Sequence, residues 1–224
     1  MTEGELRLSY VEGVNPSRWI DVWDARHHER SISHERVSQP RQLRAVLTGE
    51  ADVAIVRAAE TDERLHRIVM FTEHTVAIAE HDHPIGAFDE LTLADLETET
   101  LLDVTGLSHK DAAITAKTGA GIALMPMSVA RLYGGKGSTV RVVTDAPGHS
   151  VELVWLRERD DEDTQDFAGI VRGRKATSSR AGQAEEDKSA GGKSKPGPKQ
   201  RPKPAHRIPP RARPRGKMHK RRGR

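Results

Sequence analysis

The chain has 224 residues, of which 35% are hydrophobic and 31% are charged, and it contains no Cys. The absence of Cys excludes disulfides, thiolate catalysis and cysteine metal sites. No stretch approaches the roughly 18 apolar residues that a membrane span requires, and no apolar run follows a basic segment at the N-terminus. We therefore expect a soluble, cytoplasmic protein with no membrane partner.

The charge is divided unevenly along the chain. Residues 175–224 contain 17 Lys and Arg against three Asp and Glu, a net charge of +14. The whole chain carries +3, so residues 1–174 carry −11. Large apolar residues also become rare beyond Arg174, and such a segment cannot bury enough surface to offset the entropy of ordering. The composition predicts an acidic folded body and a disordered tail rich in Lys, Arg and Pro over residues 175–224.

The first part of the folded body alternates strand and helix patterns. Leu6, Leu8 and Tyr10 alternate with polar residues, as in a strand that Gly13 ends. The next predicted elements are a helix opened by Asn15 and Pro16, a strand over residues 32–37, a helix over residues 40–48 and a strand over residues 53–56. This βαβαβ order favours an open, doubly wound α/β sheet.

Residues 65–96 are the expected connection between two lobes. Residues 75–80 form a small-residue strand that can pass between packed bodies, and Pro84 ends it because proline cannot donate to a sheet ladder. Thr92 and Asp95 then form a capping box that opens a helix. The residues before this connection are predicted to form one lobe, and most of the residues after it another.

The second part of the body repeats the alternation over shorter elements. The predicted elements are a strand at Leu101 and Leu102, a helix from the Ser108 and Asp111 capping box, a strand over residues 122–125, a helix from Pro126, strands over residues 140–143 and 151–156, and a helix over residues 162–171.

Four segments carry a family resemblance. They are LTGEADVAIV at 47–56, DHP at 82–84, LTLADL at 91–96 and GAGIALMP at 119–126. Their order and spacing resemble the effector-binding domain of LysR-type transcriptional regulators over about residues 5–174. The resemblance implies a type 2 periplasmic-binding-protein fold, with two α/β lobes, two crossings between them and a small-molecule effector in the cleft. Lobe one would comprise residues 1–80 and 150–174, and lobe two residues 81–149.

The chain departs from that family in two ways. Family members open with a DNA-binding winged helix-turn-helix, whereas the first strand here begins near Leu6 and leaves no room for one. Only 16 residues separate Leu102 from Gly119, where the family has a longer run, so we expect a truncated second lobe. The resemblance also allows a homodimer, which is the usual assembly in the family.

The expected ligand rim lies beyond the carboxyl ends of the first three strands, where open α/β sheets bind ligands. Its residues are Gly13, Asn15, Ser17, Ser38, Gln39 and Arg57. Free N–H groups at the helix start and the Arg57 guanidinium would suit an anionic effector. The competing interpretation is that Asn15 only caps a helix and that Arg57 is a solvated strand end.

The tail suggests a second partner. Clustered cations attract phosphates without reading sequence, and prolines keep the chain extended along a polyanion. The cations that we expect to contact DNA or RNA non-specifically are Lys199, Arg201, Lys203, Arg207, Arg211, Arg213, Arg215, Lys220, Arg221 and Arg222. The competing interpretations are a solubilising terminus and, ranked below it, a compartment signal of the nuclear kind.

No motif of an enzyme, cofactor site or metal site is present. The sequence lacks G-x-S-x-G, H-E-x-x-H and Walker patterns, and His81 with His83 is read as a turn at a strand end, not a metal site. The leading hypothesis is an effector-binding, transcription-linked sensor without its own helix-turn-helix. The alternatives are a sequence-independent nucleic-acid-binding protein that acts through its tail, and a cytoplasmic solute-binding protein with no regulatory role.

Overall fold

The computed structural model describes residues 4–173. The predictions of a disordered tail and of tail contacts with nucleic acid fall outside these residues. Within the described part of the chain, no helix has the length and apolar character needed to cross a membrane.

The described residues form nine strands and five α-helices. In chain order these are β1 (Glu5–Val11), α1 (Ser17–Arg26), β2 (Ser31–Val37), α2 (Arg44–Leu47), β3 (Val53–Arg57), β4 (Leu65–Glu73), β5 (Thr75–Glu80), β6 (Glu90–Leu91), α3 (His109–Lys117), β7 (Ala123–Pro126), α4 (Met127–Tyr133), β8 (Ser138–Val143), β9 (His149–Leu156) and α5 (Glu162–Val171). Single 3₁₀ turns occur at Gln39–Arg41, Pro84–Ala87, Ala94–Leu96 and Arg157–Arg159.

The first sheet has five strands in the order β2-β1-β3-β9-β4. Every residue of β3 is buried, as its apolar run predicts, because helices cover both faces of the sheet. On one face, Trp23 of α1 meets Phe167 of α5 at a ring-centroid distance of 6.1 Å. On the other face, Val46 of α2 packs in a cluster with Val56. We call this sheet with α1, α2 and α5 the first subdomain.

The second sheet has four strands in the order β6-β8-β5-β7. The alanines of α3 pack with Val76 and Ile78 of β5 on one face, and small side chains allow this short helix to lie close to the sheet. On the other face, Ile85 and Leu96 from two 3₁₀ turns pack with Leu91 of β6. We call this sheet with α3 and α4 the second subdomain.

The chain crosses between the two sheets twice. The first crossing is at His74, between β4 and β5, and the second comprises residues 144–148, between β8 and β9. Because β5 pairs with β7 and β8, the second sheet begins at Thr75, whereas the sequence placed the lobe boundary after Glu80. That boundary is wrong because β4, which the sequence pattern did not predict, supplies the last strand before the crossing.

Two predicted helices are shorter than expected. Residues 40–48 form a 3₁₀ turn followed by the four-residue α2, because the side chain of Gln42 is drawn to the backbone of Arg57. Asp95 accepts hydrogen bonds from the N–H and the hydroxyl of Thr92, but this pair heads only a 3₁₀ turn. The chain is extended again at Thr100, whose carbonyl accepts a hydrogen bond from the N–H of Ile122 (2.8 Å). The strand expected at Leu101 is a single bridge to Ile122.

Candidate functional site

The carboxyl ends of three strands lie at one edge of the first sheet. β1 and β3 are parallel, and β4 has the same direction because β3 and β4 both run antiparallel to β9. Glu12, Arg57 and Glu73 lie at these three ends, and all three residues are buried. Open α/β sheets bind ligands beyond such strand ends, so this edge is the expected location of a site.

Arg57 is fully buried, with a relative exposure of 0%. Its Nε lies 3.2 Å from Oε2 of Glu73, and its Nη2 lies 3.4 Å from Oε1 of the same carboxylate. Nη2 also donates to the backbone carbonyl of Glu12 (3.0 Å). A buried guanidinium is strongly destabilising unless it is paired with an opposite charge and hydrogen-bonded. The negative charge of Glu73 therefore offsets the free-energy cost of burying Arg57.

Two glutamines of the residue 39–42 segment hold Arg57 from the side of α2. The N–H of Arg57 donates to Oε1 of Gln42 (2.7 Å), and its carbonyl accepts from Nε2 of the same amide (2.9 Å). Nη1 of Arg57 donates over 3.5 Å to Oε1 of Gln39. These contacts fix both the backbone and the side chain of Arg57, so it has little freedom to turn toward solvent.

Ser128 connects the ion pair to the second subdomain. Its hydroxyl, on α4, accepts a hydrogen bond from Nη2 of Arg57 (2.8 Å) and donates one to Oε2 of Glu73 (2.9 Å). The close approach of the two subdomains requires a glycine at position 13. Gly13 has φ +87°, and a Cβ there would lie 2.6 Å from the Ser128 hydroxyl.

The carboxylate of Glu12 forms a second connection between the subdomains. Oε2 accepts a hydrogen bond from the hydroxyl of Tyr133 (2.6 Å), and Oε1 lies 2.9 Å from Nδ1 of His109. Burial, together with the hydrogen bond to Glu12, raises the pKa of Tyr133 to about 12. We define the junction by six residues: Glu12, Arg57, Glu73, His109, Ser128 and Tyr133.

His149 lies where the second crossing enters β9, close to the junction. The Thr75 hydroxyl donates its one proton to the carbonyl of Pro147 (2.6 Å), so it accepts from Nε2 of His149, 3.0 Å away. Burial lowers the pKa of His149 below its ordinary value, and the positive charge of Arg57 lowers it further. The negative charge of Glu73 partly opposes this shift. The arrangement favours a neutral imidazole between the two crossings.

Two cavities adjoin the Gly13–Asn15 loop. The larger, of about 320 Å³, is lined by the loop, by Trp19 of α1, by residues 71–74 and by Met127, Ser128 and Arg131. The smaller, of about 270 Å³, is lined by the loop, by Ser17, by His34 and Arg36 of β2, and by Leu132. Both cavities have walls from both subdomains. The larger cavity also reaches two junction residues, Glu73 and Ser128.

Comparison with known proteins identifies the family. The model of the LysR substrate binding domain matches residues 1–116, which is more than half of the 224 residues. The chain belongs to this family. The family resemblance predicted from the four sequence segments is confirmed, and this LysR domain is a regulatory domain that binds a small-molecule effector. No curated protein matches its sequence.

Solved structures show the same fold. A hydrogen-peroxide-bound OxyR mutant from Corynebacterium glutamicum is 16% identical, with a TM-score of 0.61, over 76% of this chain and 67% of that chain. The effector-binding domain of BenM with its effector benzoate is 15% identical, with a TM-score of 0.61, over 77% and 92%. The C-terminal domain of a probable LysR family regulator from a Rhodococcus species is 18% identical, with a TM-score of 0.58, over 75% and 98%. The predicted α/β, type 2 periplasmic-binding-protein-like fold is thereby confirmed.

In this LysR domain, the residues of the expected ligand rim lie in different environments. Gly13 and Asn15 line both cavities, and Ser17 lines the smaller one. Gln39 supports Arg57, whereas Ser38 only precedes a 3₁₀ turn and is in the lining of neither cavity. Asn15 does not cap α1, whose N-cap is Pro16; instead its Oδ1 accepts from the N–H of Ser17 (3.0 Å).

Arg57 does not have the environment that the sequence analysis expected. We expected a cation on an open rim, or a solvated strand end, but its guanidinium is buried and bonded to Glu73 and Ser128. The reason is that β4, which runs parallel to β3 with β9 between them, ends with an acidic residue at the same edge of the sheet, and β4 was not predicted from the sequence. In this structure Arg57 stabilises the wall of the cavity and has no atom exposed inside it.

Five of the six junction residues are not among those predicted from the sequence. Glu12 directly follows the first predicted strand, so the strand-end rule that selected Gly13 could have selected it as well. Glu73 was missed because its strand was not assigned. His109, Ser128 and Tyr133 lie on helices of the second subdomain, and their sequence patterns do not indicate which strand end they face.

The His81–His83 pair lies away from the junction. Nδ1 of His83 accepts a hydrogen bond from the N–H of Ile85 (3.4 Å) at the start of a 3₁₀ turn, and its Nε2 lies 3.6 Å from Glu99. Within residues 4–173 there is no cluster of three His, Asp or Glu side chains placed to hold a metal ion. The contacts of His83 are those of a turn at a strand end.

The Arg57–Glu73 pair gives the first prediction. Arg57→Met leaves the Glu73 carboxylate buried without its partner, and we expect it to lower the free energy of unfolding by about 3–5 kcal/mol. Adding Glu73→Leu removes that unpaired charge, so the double variant should be more stable than Arg57→Met alone. Urea unfolding of the three proteins measures both effects.

Arg64→Gln is the matched control for this experiment, because Arg64 pairs with Asp62 at the surface, where solvent screens the interaction. It should leave stability nearly unchanged. A double variant less stable than Arg57→Met would contradict the assigned pairing.

The second prediction concerns His149. Because the folded state lowers the pKa of His149 below 6.5, protons bind the unfolded chain more tightly. Stability that is present above about pH 6.5 should therefore be lost as the pH falls toward the folded-state pKa. His149→Gln should reduce this loss, measured by urea unfolding at several pH values between about 7.5 and 5. His81→Gln, at an exposed position, should retain the wild-type dependence.

Proposed function

We propose that this LysR domain is a transcription-linked sensor that binds its effector in the larger cavity. We assign it a cytoplasmic role with no catalysis, and within these 224 residues we assign it no helix-turn-helix. The observation that carries the proposal is that Glu73 and Ser128 line the larger cavity and also connect the subdomains. A ligand in that cavity would contact the groups that hold the two subdomains together.

The mechanism follows from this shared wall. A ligand shifts a conformational equilibrium only by the difference in its affinity for the two states. Residues 71–74 belong to the end of β4 and the first crossing, while Met127, Ser128 and Arg131 belong to α4. A ligand that touches both segments binds best when the junction is formed, so it should stabilise that arrangement against any more open one.

We propose that Gly13, Asn15 and Ser17 are ligand contacts, as part of the expected rim. The loop that carries Gly13 and Asn15 separates the two cavities and approaches α4 closely. Arg57 and Gln39 have a supporting role, because they hold the loop and the cavity wall from behind, whereas Ser38 lines neither cavity. Solved relatives support a small ligand in this fold, since BenM is described with its effector benzoate and OxyR with hydrogen peroxide.

The third prediction tests the effector cavity. A thermal-shift screen of the full chain against metabolites should find a compound that raises its Tm, since a ligand that binds only the folded state stabilises it. His74→Trp should abolish that shift, because an indole at this exposed lining position fills the larger cavity.

His81→Trp is the control, because the same exchange is made at an exposed position that lines neither cavity. It should keep the full shift. A compound that stabilises His74→Trp as strongly as the wild type binds elsewhere, and a screen without any stabilising compound would rule out the sensor role.

A second candidate function rests on the charge of residues 175–224. Their net charge of +14 contrasts with −11 for residues 1–174, so only the tail is suited to attract phosphates. We propose, as the alternative, that the chain binds DNA or RNA independently of sequence through its tail. This function is compatible with the sensor role, because the effector cavity is formed by residues of the folded body alone.

The fourth prediction separates these roles. The full chain should bind unrelated DNA duplexes with similar affinity, and the affinity should fall steeply with salt because each neutralised phosphate releases a counterion. A chain that ends at Arg174 should not bind even at low salt, since the acidic body repels DNA. Fluorescence anisotropy with two duplexes of different sequence measures both effects. A sequence-specific footprint that survives the deletion would show instead that the folded body reads DNA.

A further inference from the structure

The lining of the larger cavity includes an arginine that has no ion pair within residues 4–173. Arg131 of α4 is exposed at the cavity and, within residues 4–173, forms no ion pair or side-chain hydrogen bond. The charge of Glu73, the acidic residue of the lining, is offset by Arg57 at 3.2 Å. An anion in the cavity would therefore meet the Arg131 guanidinium without an unpaired carboxylate beside it, and a guanidinium binds a carboxylate in a planar, bidentate manner.

The remaining walls of the larger cavity are largely apolar and partly aromatic. Trp19 and Val14 are almost fully buried behind it, and Met127 lies on the side of α4. Phe71 at its edge is 41% exposed, which is high for a phenyl ring. Ring surface of this kind is favourable to cover, and aromatic pairs gain further energy from offset or edge-to-face contact. The lining therefore suits a flat apolar group.

The volume of the cavity limits the size of that group. A cavity of about 150 Å³ accepts benzene in an engineered protein. The present cavity, at about 320 Å³, has room for one ring with a carboxylate and a small substituent. A dinucleotide or a long acyl chain would extend far beyond the described walls.

We propose that the larger cavity binds a small aromatic carboxylate, whose carboxylate pairs with Arg131 and whose ring contacts Trp19 and Phe71. This inference rests on the proposed effector cavity and names the class of its ligand. Arg131 belongs to the second subdomain, whereas Trp19 and Phe71 belong to the first. One ligand molecule thus connects the two subdomains beside the junction, which couples binding to their arrangement.

The test compares an acid with its neutral amide on the full chain. Titration calorimetry with phenylacetate and phenylacetamide, and with nicotinate and nicotinamide, should show tighter binding of the acid in at least one pair. Arg131→Gln should weaken binding of that acid roughly 10- to 100-fold, because a charge-assisted contact is lost. It should change the affinity of the amide less than about twofold, because the amide never formed that contact.

Two further variants complete the test. Phe71→Leu retains apolar surface but removes the ring, and it should weaken the acid and its amide alike, by about 2- to 10-fold. Arg44→Gln, which neutralises an exposed cation that lines neither cavity, should change neither affinity. Both exchanges are at exposed positions, so an unchanged Tm without ligand verifies that the fold is retained.

The failure of this inference differs from the failure of the sensor role. If the metabolite screen finds only ligands of another class, and His74→Trp abolishes their binding, the effector cavity stands and the aromatic carboxylate is wrong. Equal weakening of acid and amide by Arg131→Gln would also overturn the inference. If no compound binds in a manner that His74→Trp abolishes, the effector cavity itself is wrong.

Discussion

The burial of one positive charge, that of Arg57, determines how the two subdomains meet. A guanidinium with 0% exposure must have its charge balanced and its donors accepted by neighbouring groups. The groups that do so come from the end of β1, the end of β4 and the start of α4. These segments are distant in sequence, so folding must bring all of them together before Arg57 can leave water. The junction is therefore a cooperative feature, and the first crossing starts directly after its residue Glu73.

The larger cavity adjoins the same junction. Gly13 approaches Ser128 so closely that no side chain fits between them, and the Gly13–Asn15 loop lines both cavities. Glu73 and Ser128 serve two purposes, because each is bonded within the junction and each lines the cavity. A ligand that contacted this wall would shift the arrangement of the subdomains only by the difference in its affinity for the two states, and an almost complete shift takes about 5.5 kcal/mol. In the proposed site the contacts that set this difference lie at the junction itself.

Local patterns predicted those elements whose formation depends on local interactions. The apolar run at 53–56 forms a buried strand and residues 162–171 form α5, as predicted. Ser108 caps α3 by accepting a hydrogen bond from the N–H of Asp111 (3.1 Å). The failures are at positions where a distant partner competes with a local preference. Gln42 pairs with the backbone of Arg57 and interrupts the helix expected over residues 40–48. β4 was missed because its side chains, from a buried Leu65 to an exposed Val69, do not alternate cleanly.

The candidate site shows the same division between local and distant information. Strand ends can be located from sequence, and Gly13, Asn15 and Arg57 lie at the carboxyl ends of β1 and β3 as predicted, whereas their role as ligand contacts stays a prediction. Whether a cation at such an end faces a ligand or is neutralised within the protein depends on which acid the fold places beside it. Glu73 follows Arg57 by 16 residues in the sequence. The two residues lie at the same edge of the sheet because β3 and β4 both run antiparallel to β9, which lies between them. Glu73 neutralises Arg57, and within residues 4–173 the lining cation of the larger cavity without an ion pair is Arg131. A strand-end rule does not select Arg131 because it lies on a helix of the opposite subdomain.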